Sequence, residues 1–153
     1  MIIRKAHLED LKTIQDLSKE LIEYDSRWVP YFNLGWSHDK DGEKFFRKVL
    51  TGRNRICFIA IIDNKIVGYL AGAILPSLSW RKIKRLEITN IFIKEKFRNQ
   101  NIGNRLVDIF FEWGRKKGIK RAVVVASSGN DKAIKFYIKK RFSSVFLTLE
   151  SDI

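Results

Sequence analysis

The chain has a single cysteine, Cys57. That excludes a disulfide framework and any zinc site built on paired cysteines. His7 and His38 are the only histidines and stand far apart, so no metal centre is expected. Two prolines and nine glycines among 153 residues exclude collagen-like or low-complexity organisation. No apolar run reaches the roughly 18 residues of a membrane span. The opening MIIRKAHLED is charged where a secretory leader is apolar. These absences lead us to expect a soluble, reduced, cytoplasmic domain.

Negative charge is scarce in one part only. Lys and Arg number 30 against 17 Asp and Glu, a net charge of +13. Residues 1–50 carry 9 basic and 9 acidic side chains, and residues 51–153 carry 21 and 8. A field of this sign favours polyanions: nucleic acid, an anionic membrane or a phosphorylated cofactor. It repels a strongly cationic small substrate unless a local acidic pocket receives it. What is present in quantity is apolar material, 45% hydrophobic and 12% aromatic, enough for a core. No repeat or linker divides it, so residues 1–153 are read as one domain.

Periodicity sketches the elements. Ile2 to Arg4 reads as a short strand. Leu8, Leu11, Ile14, Leu17, Leu21 and Ile22 follow helical spacing. Residues 24–42, crowded with aromatics, Pro30, Gly35 and Gly42, read as loop and broken helix. Glu43 to Leu50 resumes a helix. Ile56 to Ile62 and Lys65 to Leu75 read as a hairpin about Asp63-Asn64. After a basic connection, Pro76 to Lys84, a third strand runs from Arg85 to Ile93. A helix carries Ile102, Leu106, Ile109, Phe110 and Trp113, with Gly114 and Gly118 placed to close it. Ala122 to Ala126 reads as a buried strand, Asn130 to Lys140 as a short helix, and Val145 to Leu149 as a last strand. The order β-α-α-β-β-β-α-β-α-β predicts a mixed sheet with helices on it, α+β in class. Cys57, inside an apolar run, reads as core.

The most specific stretch is EITNIFIKEKFRNQNIGNRL, from Glu87 to Leu106. A strand ends near Ile93, a basic turn follows, and a helix opens near Gly103. Unpaired N–H groups at such a helix start make an anion site, strengthened by the helix dipole and by Arg98. A pyrophosphate suits this chemistry.

Here the chain resembles the GCN5-related N-acetyltransferases. Their cofactor signature is Arg/Gln-x-x-Gly-x-Gly/Ala between a strand and a helix. Arg98, Ile102, Gly103 and Leu106 match it. Asn101 replaces its first glycine, and Asn99 also stands where glycine is frequent. Asparagine is the best non-glycine at positive φ, so the loop is expected to form. A second stretch, NDKAIKFYIKKRF, matches the family pattern at Asn130, Ala133, Phe136, Tyr137 and Phe142, with Arg141 in place of glycine. The opening Ile3-Arg4-x-Ala6 with Asp10 is a third, weaker match.

The resemblance implies a sheet whose central parallel strands splay apart around acetyl-CoA, with flanking helices. It implies backbone contacts from Ile91, Phe92 and Ile93 to the pantetheine arm and the acetyl carbonyl. N–H groups of Arg98, Asn99, Gln100, Asn101, Ile102, Gly103 and Asn104 would hold the pyrophosphate, with Asn130 beside the pantetheine. The implied reaction is direct acetyl transfer to an amine, with Tyr137 as general acid and Glu87 as base. The acceptor, a small-molecule or protein amine, is expected against Trp28, Tyr31 and Trp36, with Asp25, Asp39 and Asp41 nearby. Asn90 is a candidate polar contact at the splay. Members of the family often dimerise, so a homodimer is a further expectation. Two other readings remain open: a basic module binding nucleic acid or ribosomes, and an acetyl-CoA-binding protein without activity.

Overall fold

Apolar residues sort to both faces of one sheet. The computed structural model describes residues 1–153. Its five strands are β1 (Ile2–Lys5), β2 (Arg55–Ile62), β3 (Lys65–Leu75), β4 (Arg85–Ile93) and β5 (Ala122–Val124), ordered β1-β2-β3-β4-β5. The pairings are antiparallel except β4–β5, which is parallel. Helices α1 (Leu11–Asp25) and α2 (Lys40–Thr51) cover one face, with Leu17, Phe46, Ile59 and Tyr69 among its core. Helix α3 (Ile102–Lys116) and α4 (Asp131–Lys139) cover the other, with Leu70, Ile88, Leu106 and Phe110. The class is α+β with a mixed sheet, as the element order predicts.

Local chemistry sets the boundaries. The β2–β3 turn places Asp63 and Asn64 at φ +49° and +58°, which suits the twist of a two-residue hairpin. Helix α2 starts three residues before the predicted Glu43. The Asp39 side chain accepts from the N–H groups of Asp41 and Gly42, both at 2.9 Å, and so caps it. Gly114 does not close α3. It lies inside the helix on Leu86, and the chain turns at Gly118, at φ +75°. Gly72 lets α3 approach the sheet: a Cβ there would stand 2.2 Å from the Phe110 ring.

Two strand expectations need correction. β5 stops at Val124 and is half-buried, and Val125 is 86% exposed. The last strand, Val145 to Leu149, does not form, and its apolar side chains are exposed. A strand needs an edge to pair with, and β5 offers one only three residues long. The parallel pair therefore lies at the edge of the sheet rather than at its centre.

One ion pair fixes the start of the chain. The Arg4 guanidinium on β1 donates to both Asp10 oxygens, at 2.8 and 2.9 Å, and the His7 N–H donates to Asp10 at 2.8 Å. Asp10 ends the 3-10 turn (Leu8–Asp10) that leads into α1, so the pair ties α1 to the sheet. Arg4's hydrogen bonds hold the Asp10 carboxyl below the usual carboxylate range against the opposing effect of burial. The stability this pair adds is therefore present above about pH 4 and is lost as pH falls through the depressed value. Asp10→Ala is expected to lower stability by about 2 kcal/mol at neutral pH in urea denaturation. Its stability should also decline less than that of the wild type between about pH 5 and pH 2. An identical acid decline in both proteins would show that the pair contributes nothing.

Candidate active site

The site begins where β4 and β5 part. Their register pairs Leu86 with Ala122, Glu87 with Val123 and Ile88 with Val124, and there it ends. On its other edge, β4 shows an irregularity at the same place: Asn90 is opposite Ala71 but Ile88 is opposite Gly72, so Thr89 is the extra residue of a bulge. A bulge bends its strand and increases the local twist. β4 continues to Ile93 with β3 on one side only. The backbone groups of Thr89 to Ile93 that point away from β3 have no strand to pair with.

The chain then enters the basic turn. A 3-10 turn (Glu95–Phe97) leads to Arg98, and α3 starts at Ile102. Asn99 and Asn101 adopt φ +62° and +63°. With these two residues left-handed, the N–H groups of Asn99, Gln100, Asn101, Ile102, Gly103 and Asn104 find no acceptor in the protein. Six successive free donors at a helix start make an anion cradle. The Asn101 Oδ1 is held by the Asn104 Nδ2 at 2.7 Å.

Arg98 differs from expectation. Its own N–H is taken by Glu95 O, at 3.1 Å, and is not a free donor. Its Nε donates to Ile93 O at 2.9 Å, so that carbonyl is engaged too. Its guanidinium packs on the rings of Tyr24 (4.9 Å) and Phe92 (5.4 Å). The residue clamps the end of α1 to the end of β4.

From Tyr24 the contacts run round the mouth of the gap. The Tyr24 ring meets Trp28 edge-on at 5.2 Å. Trp28 fills the space over Gly129, where a Cβ would lie 2.2 Å from the indole. Asn130 follows, buried, and caps α4 by accepting from the Ala133 N–H at 3.1 Å. Phe136 of α4 packs against Gly103, and Lys140 bonds Asn104 O (3.3 Å) and Asp108 (2.7 Å). The circuit closes at the start of α3.

Inside it stands Tyr137, buried, edge-on to Phe136 and Phe142, its hydroxyl bonded to no protein group. Burial, helped by the nearby Asp25 carboxylate, pushes the Tyr137 phenol well above its ordinary value. Asp25, the last residue of α1, has its own carboxyl pushed up by burial and partly held down by the Asn130 amide. Two further groups on the α1/α2 face have buried atoms without a partner, Tyr69 OH and Asn90 Oδ1. Sequence reasoning passed over Tyr69, whose only signal was a phenol inside an apolar strand. Glu87 projects from the face opposite Leu86 and Ile88, half-buried and in no ion pair. Cys57 is buried and its thiol is pushed up by that burial, so it is no nucleophile.

Tyr31 and Trp36 do not join Trp28 as expected. Trp36 packs on Phe45 and Phe46, at 5.4 and 6.0 Å, and roofs the α1/α2 core. Tyr31 is 91% exposed at φ +63°. An aromatic in a loop looks the same in sequence whether it roofs a core or lines a pocket.

Residues 21–142 match the family model described as the acetyltransferase (GNAT) family. The chain belongs to that family. Solved structures agree on the fold. A tetramutant of the BH1408 protein from Bacillus halodurans superposes with a TM-score of 0.86 at 18% identity, over 100% of both chains. A predicted acetyltransferase from Clostridium acetobutylicum, solved with acetyl-CoA, gives 0.77 at 21% identity, over 99% of this chain and 95% of that one. AAC(6')-Iy, solved with a bisubstrate analogue of CoA and acetylneamine, gives 0.76 at 17% identity, over 99% and 97%.

The GNAT pattern has glycine where this chain has Asn101 and Arg141, and both are left-handed here, Arg141 at φ +66°. At Arg141 the turn closes α4 through Phe142 N–H to Tyr137 O, at 3.0 Å. A non-glycine residue in this conformation costs about 1–2 kcal/mol, and asparagine less. Arg141→Gly is therefore expected to raise stability by about 1 kcal/mol, and Asn101→Ala to lower it by a similar amount. Thermal unfolding of both variants checks this, and a destabilised Arg141→Gly would contradict it.

Proposed function

We propose that this protein transfers an acetyl group from acetyl-CoA directly to a primary amine, by general acid and base catalysis. One observation carries the proposal: six consecutive free N–H groups, Asn99 to Asn104, stand beside a strand edge that β5 has left unpaired. The cradle suits a pyrophosphate, and the free edge suits an amide-bearing arm. Acetyl-CoA supplies a thioester carbonyl, an electrophile that an amine attacks without a covalent enzyme intermediate.

The chain's own residues take the remaining roles. N–H groups of Asn99 to Asn104, with the α3 dipole behind them, hold the pyrophosphate. Free backbone groups of Ile91 and Ile93, other than the Ile93 carbonyl, orient the arm and the acetyl oxygen, while Phe92, expected to join them, spends its N–H and C=O on Tyr69 of β3. Asn130, fixed as the α4 cap, borders the arm on the β5 side. Tyr137 carries its proton at neutral pH, as a phenol with an ordinary value of about 10 does and burial only reinforces, and it gives that proton to the departing sulfur. Glu87 takes the proton that the amine loses, directly or through a water. The nitrogen–carbon bond forms as the carbon–sulfur bond breaks.

The acceptor enters on the α1/α2 side, past Trp28 and Asp25. A carboxylate at the end of α1 offsets the basic field for a cationic amine. An amine acceptor is supported by two structural neighbours, AAC(6')-Iy, solved with a bisubstrate analogue joining CoA to acetylneamine, and a soil metagenomic aminoglycoside acetyltransferase, solved with sisomicin. Tyr31 and Trp36 lie outside this path.

Calorimetric titration with acetyl-CoA tests the cradle. A Gly103→Glu carboxylate at the α3 start suits the helix dipole, so the variant folds, yet it repels a pyrophosphate. Its affinity is expected to fall at least about tenfold, a change of about 1.4 kcal/mol. No binding by the wild type at millimolar acetyl-CoA would refute the proposal. Tyr137→Phe is expected to lower kcat by about 10²-fold or more with acetyl-CoA affinity unchanged. Glu87→Gln should lower it similarly, with partial recovery at higher pH where more of the amine is unprotonated.

A further inference from the structure

The fold gathers the unused charge at one place. Three segments far apart in sequence, 48–55, 81–85 and 115–121, hold twelve of the 30 Lys and Arg residues and no Asp or Glu. Strand pairing brings them to the same end of the sheet, away from the acetyl-CoA cradle. Ile74 N–H donates to Asn54 O at 2.7 Å, Leu75 is opposite Arg85, and Leu86 N–H donates to Arg121 O at 2.8 Å. None of the twelve is in a salt bridge. The C-terminal dipoles of α2 and α3 account for Lys48, Arg115 and Lys116 and leave the other nine unexplained.

The surface there is concave and carries an aromatic. One cavity, of about 420 Å³, is lined by Lys84, Lys117, Lys120 and Arg121 with Ile83 and Ile119. A second, of about 320 Å³, lies by Lys48, Arg53 and Arg55. Arg85, next to Lys84, has a buried Nε with no acceptor. Between the strands, Leu78 and Arg81 exchange backbone hydrogen bonds of 3.0 and 3.1 Å. That tight turn presents Trp80, 70% exposed, with Ile83 also exposed beside it.

We infer that this end of the molecule binds single-stranded nucleic acid, the cationic cavities seating backbone phosphates and Trp80 stacking on a base. Clustered cations with an exposed ring at the same end of the sheet are what sequence-tolerant single-strand binding needs. A duplex keeps its bases stacked and offers Trp80 no free face. The surface lies at the opposite end of β4 from the acetyl-CoA cradle, and its test does not use acetyl transfer.

The test is fluorescence anisotropy of a labelled 20-nucleotide oligouridine with the full chain at several salt concentrations. Contact with four to six phosphates gives a slope of log K against log salt of about −3 to −4. Lys84→Glu with Lys120→Glu should weaken binding at least about tenfold. Lys65→Glu with Lys135→Glu, the same charge change elsewhere, should weaken it by less than about threefold. Trp80→Ala should lose about tenfold with the slope unchanged. Thermal unfolding confirms that each variant folds. Should the first pair not fold, the wild-type slope and Trp80→Ala decide alone. No binding at about 150 mM salt, equal losses from both charge pairs, or capture by phosphatidylserine vesicles without oligouridine binding would each overturn the inference.

Discussion

The site depends on one extra residue in β4. Side chains alternate along a strand, so a regular β4 would send Glu87, Thr89 and Ile91 to one face and Ile88, Asn90 and Phe92 to the other. The bulge at Thr89 shifts that phase by one. Glu87, Asn90 and Phe92 then share the α1/α2 face, while Ile91 and Ile93 join the core under α3. Phe92 becomes the floor on which Arg98 packs, and Arg98 in turn holds Tyr24 and the end of α1. The same bend ends the pairing with β5. One register shift thus opens the gap, brings Asn90 and Phe92 to the face of the candidate base and draws α1 to the rim.

Much of this was legible in the sequence where the signal is local. β3 and β4 begin and end at the predicted residues because β-branched runs and turn residues delimit them. The strand, turn and helix around Arg98 to Gly103 formed as read, and asparagine took the left-handed positions that glycine takes in the family pattern. What escaped is nonlocal. A bulge at Thr89 has no mark of its own, since threonine is an ordinary strand residue. Val145 to Leu149 has strand composition, but a strand also needs a partner, and the three-residue edge of β5 does not supply one. Arg98 reads as a phosphate ligand until Tyr24, 74 positions earlier, is found under its guanidinium.

The circuit around the gap is built mostly from side chains with no proton to exchange. Trp28 on Gly129, Phe136 on Gly103 and the Tyr24 stack are shape contacts. They bring Asp25 close to Asn130 and Tyr137, from a different layer, and shield these groups from water. That desolvation moves both acids upward. Burial by packing, rather than an ion pair, is thus the main cause of both shifts.

The charge of the chain separates along β4. Nine residues of strand span about 25–30 Å between the cationic end and the anion cradle. The screening length at physiological salt is about 8 Å. Charges at the far end therefore add almost nothing to the potential at the cradle. The cradle does not need them, since its donors are backbone N–H groups and a helix dipole. In residues 1–50, by contrast, Lys12, Lys19 and Arg47 each find a carboxylate four positions away on their own helix. The neutral part of the chain neutralises itself locally. The basic excess is left unpaired at one end, so its explanation has to be sought in what that end meets.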